Sequence, residues 1–295
     1  MSAMTNLKSK SVAVVTGSNT GIGKETALSL ASSGITTVLA CRNLAKAAVA
    51  ADDIRSRSGS DDVHVVELDL SDLGSVRTSA DSILERWNRI DVLVNNAGGV
   101  WSSRELTAQG FEQTFGVNHL GPFVFTHYLL DRLKQSGPSR IVNLASVGHH
   151  FANRGMHWSD LNAERKYVAM HAYAQSKLAN ILFTRGLAKR LDASVVTANC
   201  CHPGPVRSGF GMDGDLGGLM GLGNKIIRPF EISSKAGAKT SIYLATSAEV
   251  EGSTGGYYAR SKVGRMSKSA QSDENVEKLW TISEQLVADA GFAVT

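Results

Sequence analysis

The stretch SVAVVTGSNTGIG, residues 11–23, decides the fold of this 295-residue chain. Its first five residues form a valine-rich run typical of a buried strand, and residues 22–33 behind it have the spacing of a helix. Gly17, Gly21 and Gly23 lie in the turn between them, where a tight bend and a close approach of a phosphate both require the absence of Cβ atoms. The start of the helix would offer free N–H groups and a partial positive charge to that phosphate.

These glycines stand directly after a first strand and before a first helix, which predicts a dinucleotide-binding loop. A Walker phosphate loop is excluded, because Ser18 stands where that motif needs its first glycine and Glu25 follows Lys24 in place of Ser or Thr. A glycine-rich turn can also do no more than join a strand to a helix. The residues of the predicted loop are Gly17, Ser18, Asn19, Thr20, Gly21, Ile22 and Gly23.

The alternation of strand and helix continues along the chain. Runs rich in Val, Ile and Leu, which indicate strands buried on both faces, cover residues 11–15, 35–41, 63–68, 91–95, 140–145, 194–201 and 255–259. Segments of helical period cover residues 22–33, 44–57, 73–87, 111–134, 172–191, 235–247 and 275–288. This order predicts an α/β fold with a Rossmann-type, doubly wound parallel sheet of about seven strands and helices on both faces. With no repeat and no linker, we expect a single domain over residues 1–295.

Two segments interrupt the alternation: residues 147–170 are polar and aromatic, and residues 209–230 are rich in Gly and Met. Both follow the carboxyl ends of predicted strands, the edge at which open α/β sheets bind ligands. We expect them to form the substrate pocket, although the same side chains could instead pack the segments against the domain. The large or pliable apolar residues concerned are Met156, Trp158, Phe210, Met212 and Met220.

Composition excludes several classes of protein. The net charge of +4 is spread along the chain without a Lys/Arg run, which argues against a nucleic-acid-binding protein. The three cysteines do not make a disulfide framework and lack the spacing of a metal site, so we expect a reducing compartment. Cys200 and Cys201 lie in an apolar run and are interpreted as small buried side chains. The first ten residues are polar and no stretch is long enough to span a membrane, which predicts a cytoplasmic protein.

The end of the second predicted strand bears on the choice between NAD and NADP. A dinucleotide-binding fold that prefers NAD places an acid there for the ribose 2′-hydroxyl, but residues 39–46 contain no Asp or Glu. Arg42 lies in this stretch, and its guanidinium can bind a 2′-phosphate. In isolation Arg42 could be a solvated surface charge. Together with the missing acid, it predicts NADP(H).

Further motifs follow the predicted strands in order: Asp69-Leu70, Asn95-Asn96-Ala97-Gly98, Asn118, Ser146, Tyr173-Ala-Gln-Ser-Lys177 and Pro203-Gly204. With the glycine loop, they make the chain resemble the short-chain dehydrogenase/reductase family from residue 11 to about 208. The stretches ACRN (40–43), VNHLGPF (117–123), AYAQSKLANILFTRGLAKRL (172–191) and HPGPVRS (202–208) are most similar to retinol dehydrogenase-like members.

The resemblance implies roles for individual residues. Asp69 and Leu70 would hold the adenine, and Asn118 would kink its helix and hold a water in a proton relay. Pro203, Gly204 and Val206 would flank the nicotinamide, while Ser208 would bind its carboxamide. The expected cofactor-binding residues outside the glycine loop are Arg42, Asn43, Asp69, Leu70, Asn96, Ala97, Gly98, Tyr173, Lys177, Pro203, Gly204, Val206 and Ser208.

Three side chains can carry out the chemistry of carbonyl reduction, in which the cofactor supplies a hydride and the protein a proton. Tyr173 has a phenol whose ordinary pKa of about 10 is too high for a base at neutral pH. Lys177 lies on the same helix face, so its ammonium should favour the phenolate and lower that pKa. Ser146 can bind and polarise the substrate oxygen.

Other interpretations of these residues remain open. Tyr173 and Lys177 could be an ordinary helix pair, and Ser146 could cap the segment that follows it. A hydrolase site of Ser146 with His149 or His150 is rejected, because the glycines of a nucleophile elbow are missing. Together with His157, these histidines lack a metal-binding pattern and are interpreted as loop residues.

We therefore predict an NADP(H)-dependent oxidoreductase acting on a carbonyl or alcohol substrate, lipophilic or aromatic, with Asn118, Ser146, Tyr173 and Lys177 as catalytic residues and no metal. A non-catalytic NADP-binding sensor or scaffold is the alternative, although a binding protein has no need of the phenol. An epimerase or dehydratase would need an added substrate domain for which the chain is short. The resemblance also implies a homo-oligomer, a dimer or tetramer formed through the helices after strands four and five.

Overall fold

A computed structural model describes residues 11–152, 154–204 and 233–294, and in them a single sheet of eight strands organises the chain. The strands run in the order β3-β2-β1-β4-β5-β6-β7-β8 across the sheet. They are β1 (Val12–Thr16), β2 (Thr36–Cys41), β3 (Val63–Glu67), β4 (Val92–Asn95), β5 (Ser139–Leu144), β6 (Val196–His202), β7 (Tyr257–Ala259) and β8 (Lys262–Val263). All neighbouring strands are parallel except β7 and β8, which are antiparallel.

The helices connect these strands and cover both faces of the sheet. They are α1 (Gly21–Ser32), α2 (Leu44–Ser58), α3 (Leu73–Arg86), α4 (Gln113–Phe115), α5 (Gly121–Ser136), α6 (Ala169–Arg190), α7 (Ser234–Thr246), α8 (Lys268–Gln271) and α9 (Asp273–Asp289). A π-helical turn (Gly116–Leu120) joins α4 to α5, and a 3₁₀ turn (Val147–Phe151) follows β5. The predicted α/β fold is confirmed, and the bounds of the predicted elements lie within three residues of those observed, except for the predicted helix 111–134, which is divided.

The strands are continuous apolar runs because both faces of the sheet are covered. Every residue of β1, β2, β4 and β5 is buried, and the core divides into one cluster on each face. The predicted burial of Cys200 and Cys201 in β6 is confirmed, and Cys41 at the end of β2 is also a buried free thiol. Strand β8 was not predicted, because a two-residue antiparallel strand leaves no periodicity to detect.

The helix α9 packs on α6, and its Trp280 also contacts α5. The ring of Trp280 lies 5.4 Å from that of Phe123 and 6.0 Å from that of Phe183, measured between centroids. Gly186 lets the two helices approach, since a Cβ there would stand 2.6 Å from the Trp280 ring. α9 therefore covers part of α6 and the side of α5 that carries Phe123.

No helix among the described residues is both long enough and apolar enough to cross a lipid bilayer.

Candidate active site

The glycine loop lies at the carboxyl ends of β1 and β4, where the strand order reverses and open α/β sheets bind ligands. Gly17 and Gly21 have φ values of +62° and +61°, which favour glycine. A Cβ on Gly17 would stand 2.9 Å from the Cα of Ala97, and one on Gly23 would stand 2.6 Å from the Gly17 carbonyl oxygen. The loop therefore cannot accommodate larger residues at these two positions.

Asn96 fastens this loop to the next one. Its side-chain Nδ2 donates to the carbonyl oxygens of Thr16 (2.8 Å) and Gly17 (3.2 Å). The backbone N–H groups of Asn96 and Ala97 both donate to the Thr16 hydroxyl, at 3.0 and 2.9 Å. These bonds hold Asn96 and Ala97 beside the glycine loop. They also give Thr16 a structural role that was not predicted from the sequence.

The start of α1 fits a phosphate group. Thr20 provides the N-cap position, yet no side chain of the described residues caps the helix there, and the first turn contains no acidic residue. The leading N–H groups and the positive end of the helix dipole therefore face the cleft without competition. Asn19, Thr20 and Ile22 surround this helix start as predicted, and the Ser18 hydroxyl is turned inward to the Val15 carbonyl oxygen at 2.8 Å.

Arg42 and Asn43 follow the end of β2 at the same edge. The Arg42 side chain is exposed and forms no ion pair with any residue that the structure describes, so its guanidinium is available to an anionic ligand. Asn43 caps α2 by accepting a hydrogen bond from the Lys46 backbone N–H at 2.9 Å. Asp69 uses its carboxylate to order the loop after β3, accepting from the backbone and hydroxyl of Ser71 at 2.9 and 2.6 Å. The neighbouring Leu70 is buried.

Asn118 lies in the π-helical turn between α4 and α5, in agreement with the predicted kink. Its Oδ1 accepts a hydrogen bond from the Gly99 N–H at 2.8 Å, and its Nδ2 donates to the Gly99 carbonyl oxygen at 2.9 Å and to the Ser176 hydroxyl at 2.9 Å. A Cβ on Gly98 would stand 2.8 Å from Oδ1 of Asn118 and 3.4 Å from Nζ of Lys177. Gly98 therefore leaves the space that these two side chains occupy.

Ser146 and Tyr173 meet at the carboxyl end of β5. Their side chains are neighbours, because a Cβ on Gly148 would stand 3.1 Å from the Tyr173 ring and 3.3 Å from the Ser146 Oγ. The Ser146 Oγ also accepts a hydrogen bond from the Gly148 N–H at 3.0 Å. Ser146 thus caps the turn that follows it and contacts the phenol as well.

Lys177 follows one turn later on α6, and its side chain is buried. Its Nζ donates to the Leu144 carbonyl oxygen at 3.1 Å and lies 5.6 Å from the centroid of the Tyr173 ring. Burial lowers the pKa of Lys177 to about 8. Burial also raises the pKa of Tyr173, while the hydrogen bond with Ser146 acts in the opposite direction. The lowering of the Tyr173 pKa by Lys177 stays a prediction for the complex with nicotinamide.

Pro203 and Gly204 follow β6 at the same sheet edge, and Gly204 has a φ of +92°. Val206 and Ser208, predicted to contact the nicotinamide, lie outside the described residues, as does the segment 209–230 with Phe210, Met212 and Met220.

The segment 147–170 corrects part of the substrate-pocket prediction. Met156 is buried in the core, and Trp158 packs against that core with the Lys278 ammonium 5.1 Å above its ring. These two residues therefore attach the segment to the domain. A cavity of about 590 Å³ lies between the segment, α4 and the start of α6, but among its described lining residues neither Ser146 nor Tyr173 appears.

Two residues that sequence analysis did not assign also hold the site together. Gln175 accepts a hydrogen bond from the His157 N–H at 2.7 Å and donates to the Gly155 carbonyl oxygen at 2.8 Å, which ties the segment 147–170 to α6. Asn180 donates to the Leu144 carbonyl oxygen at 2.9 Å, the same oxygen that Lys177 contacts. Asn180 follows Lys177 by three residues, and this spacing could have indicated that the two side chains share a helix face.

Comparison with known proteins gives consistent matches. The family model of short chain dehydrogenases matches residues 11–215. Human retinol dehydrogenase 12 is 42% identical over 276 residues, which cover 94% of this chain and 86% of that protein. Human retinol dehydrogenase 13 is 42% identical over 278 residues, which cover 93% and 83%. A solved structure of a protein from Mycobacterium Paratuberculosis, described only as uncharacterized, has a TM-score of 0.75 and 32% identity and covers 98% of both chains.

Proposed function

Because this chain belongs to the short-chain dehydrogenase/reductase family of oxidoreductases, we propose that it transfers a hydride between NADP(H) and a carbonyl or alcohol substrate, with Tyr173 as acid and base. The observation that carries the proposal is the proximity of the Ser146 hydroxyl and the Tyr173 ring at the carboxyl edge of the sheet, with Lys177 one helical turn away. A phenol and a hydroxyl in contact at this edge suit proton transfer to a substrate oxygen.

The cofactor would supply the hydride, and the residues of the chain supply binding, orientation and a proton. The glycine loop and the uncapped start of α1 fit the pyrophosphate. Ser146 orients the substrate oxygen, and Tyr173 donates its hydroxyl proton to that oxygen in reduction and takes the proton back in oxidation. Lys177 holds its positive charge near the phenol, and we propose that Asn118, in its π-helical turn, holds a water of the proton relay.

The preference for NADP(H) over NAD(H) is supported by Arg42. The residue follows β2 at the expected place, it is exposed, and the stretch 39–46 contains no carboxylate that would repel a 2′-phosphate. The remaining expected contacts of the cofactor are part of the same proposal, namely Asn43, Asp69, Leu70, Ala97, Pro203, Gly204, Val206 and Ser208.

The substrate is proposed to be a lipophilic or aromatic carbonyl or alcohol. The relatives named retinol dehydrogenases, at 42% identity, support a lipophilic alcohol or its aldehyde. The residues 1–295 are proposed to form a single domain, in which the segments 147–170 and 209–230 are the substrate loops. Three unpaired cysteines support a reducing compartment, and we propose the cytoplasm.

A homo-oligomer remains part of the proposal, formed through the helices after strands four and five as the family resemblance implies. α9 packs on α6, and its Trp280 contacts Phe123 and Phe183, so such an interface would use the parts of α5 and α6 that α9 leaves open. Light scattering of the purified protein measures the number of subunits directly.

The test is a spectrophotometric screen of NADPH oxidation over small polar ketones, medium-chain aldehydes and aryl aldehydes, run beside NADH. We expect the lipophilic and aryl aldehydes to be the better substrates. Y173F should reduce kcat by at least about 100-fold, the lower end of general acid–base effects, while NADPH still binds. The matched control is Y243F, which removes a surface hydroxyl bonded to Glu249 and should leave turnover unchanged.

Two results would contradict the proposal in different ways. A wild-type protein that binds NADPH but reduces none of the carbonyls would favour the sensor or scaffold. Full turnover in Y173F would assign the proton to another group. A screen in which the small polar ketones react fastest would reject the lipophilic substrate class alone.

A further inference from the structure

His149 is a buried histidine three residues after Ser146, in the 3₁₀ turn Val147–Phe151. Its side chain is wholly inaccessible to solvent, and its ring lies 4.0 Å from that of His150 and 5.1 Å from that of Tyr257, measured between centroids. A polar ring at such a position is costly to bury unless both nitrogens find partners. Both do.

The two ring nitrogens contact backbone groups of opposite character. Nδ1 lies 2.7 Å from the carbonyl oxygen of Ser146, and Nε2 lies 3.2 Å from the backbone nitrogen of Ser267. A carbonyl oxygen can only accept and a backbone N–H can only donate. The pair of bonds therefore requires a neutral imidazole with its proton on Nδ1. Burial keeps the ring neutral, because it lowers the pKa of His149 to about 4.

These bonds hold the backbone of Ser146 in place. The Ser146 carbonyl oxygen accepts from the ring and from the His149 backbone N–H at 3.2 Å, while its Oγ accepts from the Gly148 N–H and contacts Tyr173. The position of the hydroxyl depends on the backbone of Ser146, and that backbone is held by the ring. A shift of about 1 Å at a reacting group can cost on the order of 100-fold in rate.

The other side of the ring is held by a distant part of the chain. Ser267 precedes α8 and caps it, with its hydroxyl accepting from the Ala270 N–H at 3.3 Å. The ring of Tyr257 in β7 contacts the His149 ring edge-on. His149 thus connects the backbone of Ser146 to elements more than one hundred residues further along the chain.

We infer that His149 is a positioning residue for the reaction: its neutral ring, fixed by the Ser267 N–H, holds the backbone of Ser146 so that the serine hydroxyl stays in contact with Tyr173. The inference rests on the proposed function, since it names a determinant of that same site. Turnover then depends on the bond from Nδ1 to the Ser146 carbonyl oxygen, and the Ser267 N–H fixes the tautomer that makes this bond.

Three substitutions separate the two hydrogen bonds of the ring. An asparagine amide N–H occupies nearly the position of the histidine Nδ1, so H149N keeps the donor to the Ser146 carbonyl oxygen. A glutamine carbonyl reaches the position of Nε2, so H149Q keeps only the acceptor for Ser267. H149F keeps the ring shape and neither bond.

The experiment measures kcat and KM for NADPH and the best carbonyl of the screen, together with the NADPH Kd and the midpoint of urea unfolding. H149N should retain kcat within about 3-fold, whereas H149Q and H149F should lose at least about 10-fold, a fraction of the loss expected for 1 Å of misplacement. KM and Kd for NADPH should stay unchanged in all three. The contrast between H149N and H149Q does not follow from a merely structural role, which would order the variants by stability.

Equal kcat in H149Q, H149F and the wild type would overturn the inference, as would values of kcat that follow the unfolding midpoints. Failure of the proposed function is recognised separately, because then the wild type itself would show no turnover while binding NADPH. In that case the inference falls together with the function on which it rests.

Discussion

Arg42 is the single residue on which the proposed cofactor preference depends. R42A removes the guanidinium, whose charge-assisted hydrogen bonds to a phosphate are worth about 1.5–3 kcal/mol. We expect kcat/KM with NADPH to fall by about 10- to 100-fold and kcat/KM with NADH to change little. The control is R86A, because Arg86 stacks on Trp87 at the end of α3, on the opposite edge of the sheet. An equal loss with both cofactors would contradict the assigned role.

Individual residues were predictable where one motif contains all the partners. Tyr173 and Lys177 share a helix face, so their pairing could be inferred from a spacing of four residues. The position of Ser146 beside them followed from the rule that strand ends meet at one sheet edge. The role of His149 was not predictable, because its second partner, Ser267, is 118 residues away and only the folded chain brings it near. Met156 is a large, pliable apolar residue of the kind that lines pockets, but it lies in the core, and the sequence does not distinguish the two positions.

Among the elements, the predicted helix over residues 111–134 differs most from the structure. It is divided into α4, a π-helical turn and α5, although the apolar spacing is nearly continuous. The reason is local: Asn118 turns its amide to the backbone of Gly99, and the turn widens to allow this. Hydrophobic periodicity reports which face is buried and carries no information on the hydrogen-bond register.

The same π-helical turn predicts how stability depends on pH. His119 is buried there among Phe115, Phe123 and Phe183, its Nε2 contacts the Ser283 hydroxyl at 2.8 Å, and burial lowers its pKa to about 3. Below its ordinary pKa of about 6.5 the unfolded chain binds a proton that the folded chain does not. The free energy of unfolding should therefore fall as the pH drops from about 6.5 towards 3.

Urea unfolding of the wild type and H119F at several pH values between 7 and 4 checks this expectation. H119F keeps an aromatic ring in the cluster and removes the titrating group, so its stability should fall less steeply with decreasing pH. His149, whose pKa is lowered to about 4, contributes the same trend in both proteins. Parallel curves for the two proteins would show that His119 does not titrate as described.

For the whole molecule, the α/β architecture was predictable from the sequence. The place where the last helix, α9, packs on the domain was not. Seven strands and seven helices could be derived from alternating patterns, and the hand of the connections between parallel strands from the crossover rule. The helical period of residues 275–288 identified α9 but did not indicate its partner. The packing of α9 depends on Trp280 and on the absence of a side chain at Gly186. Neither residue belongs to a sequence motif that would indicate this contact.

The packing of α9 predicts a large loss of stability on truncation of Trp280. Its indole is nearly buried, it contacts the rings of Phe123 and Phe183, and Arg190 lies 4.0 Å above it. W280A should lower the free energy of unfolding by about 3–5 kcal/mol, the range for a large aromatic residue removed from a core. V49A, at an exposed position on α2, is the control and should change it by less than about 0.5 kcal/mol. A loss of under about 1 kcal/mol in W280A would mean that α9 is only loosely attached.

The short antiparallel strand β8 has a consequence for how the protein behaves at high concentration. An open β-sheet can recruit the backbone of another chain along its rim and so start aggregation. Among the described residues, the rim beyond β7 is formed by the two residues of β8, and one of them is Lys262, whose charge repels a like neighbour. A strand so short and so charged is a poor template for intermolecular pairing. Concentrated solutions of this enzyme should therefore stay free of fibrils seeded from that rim.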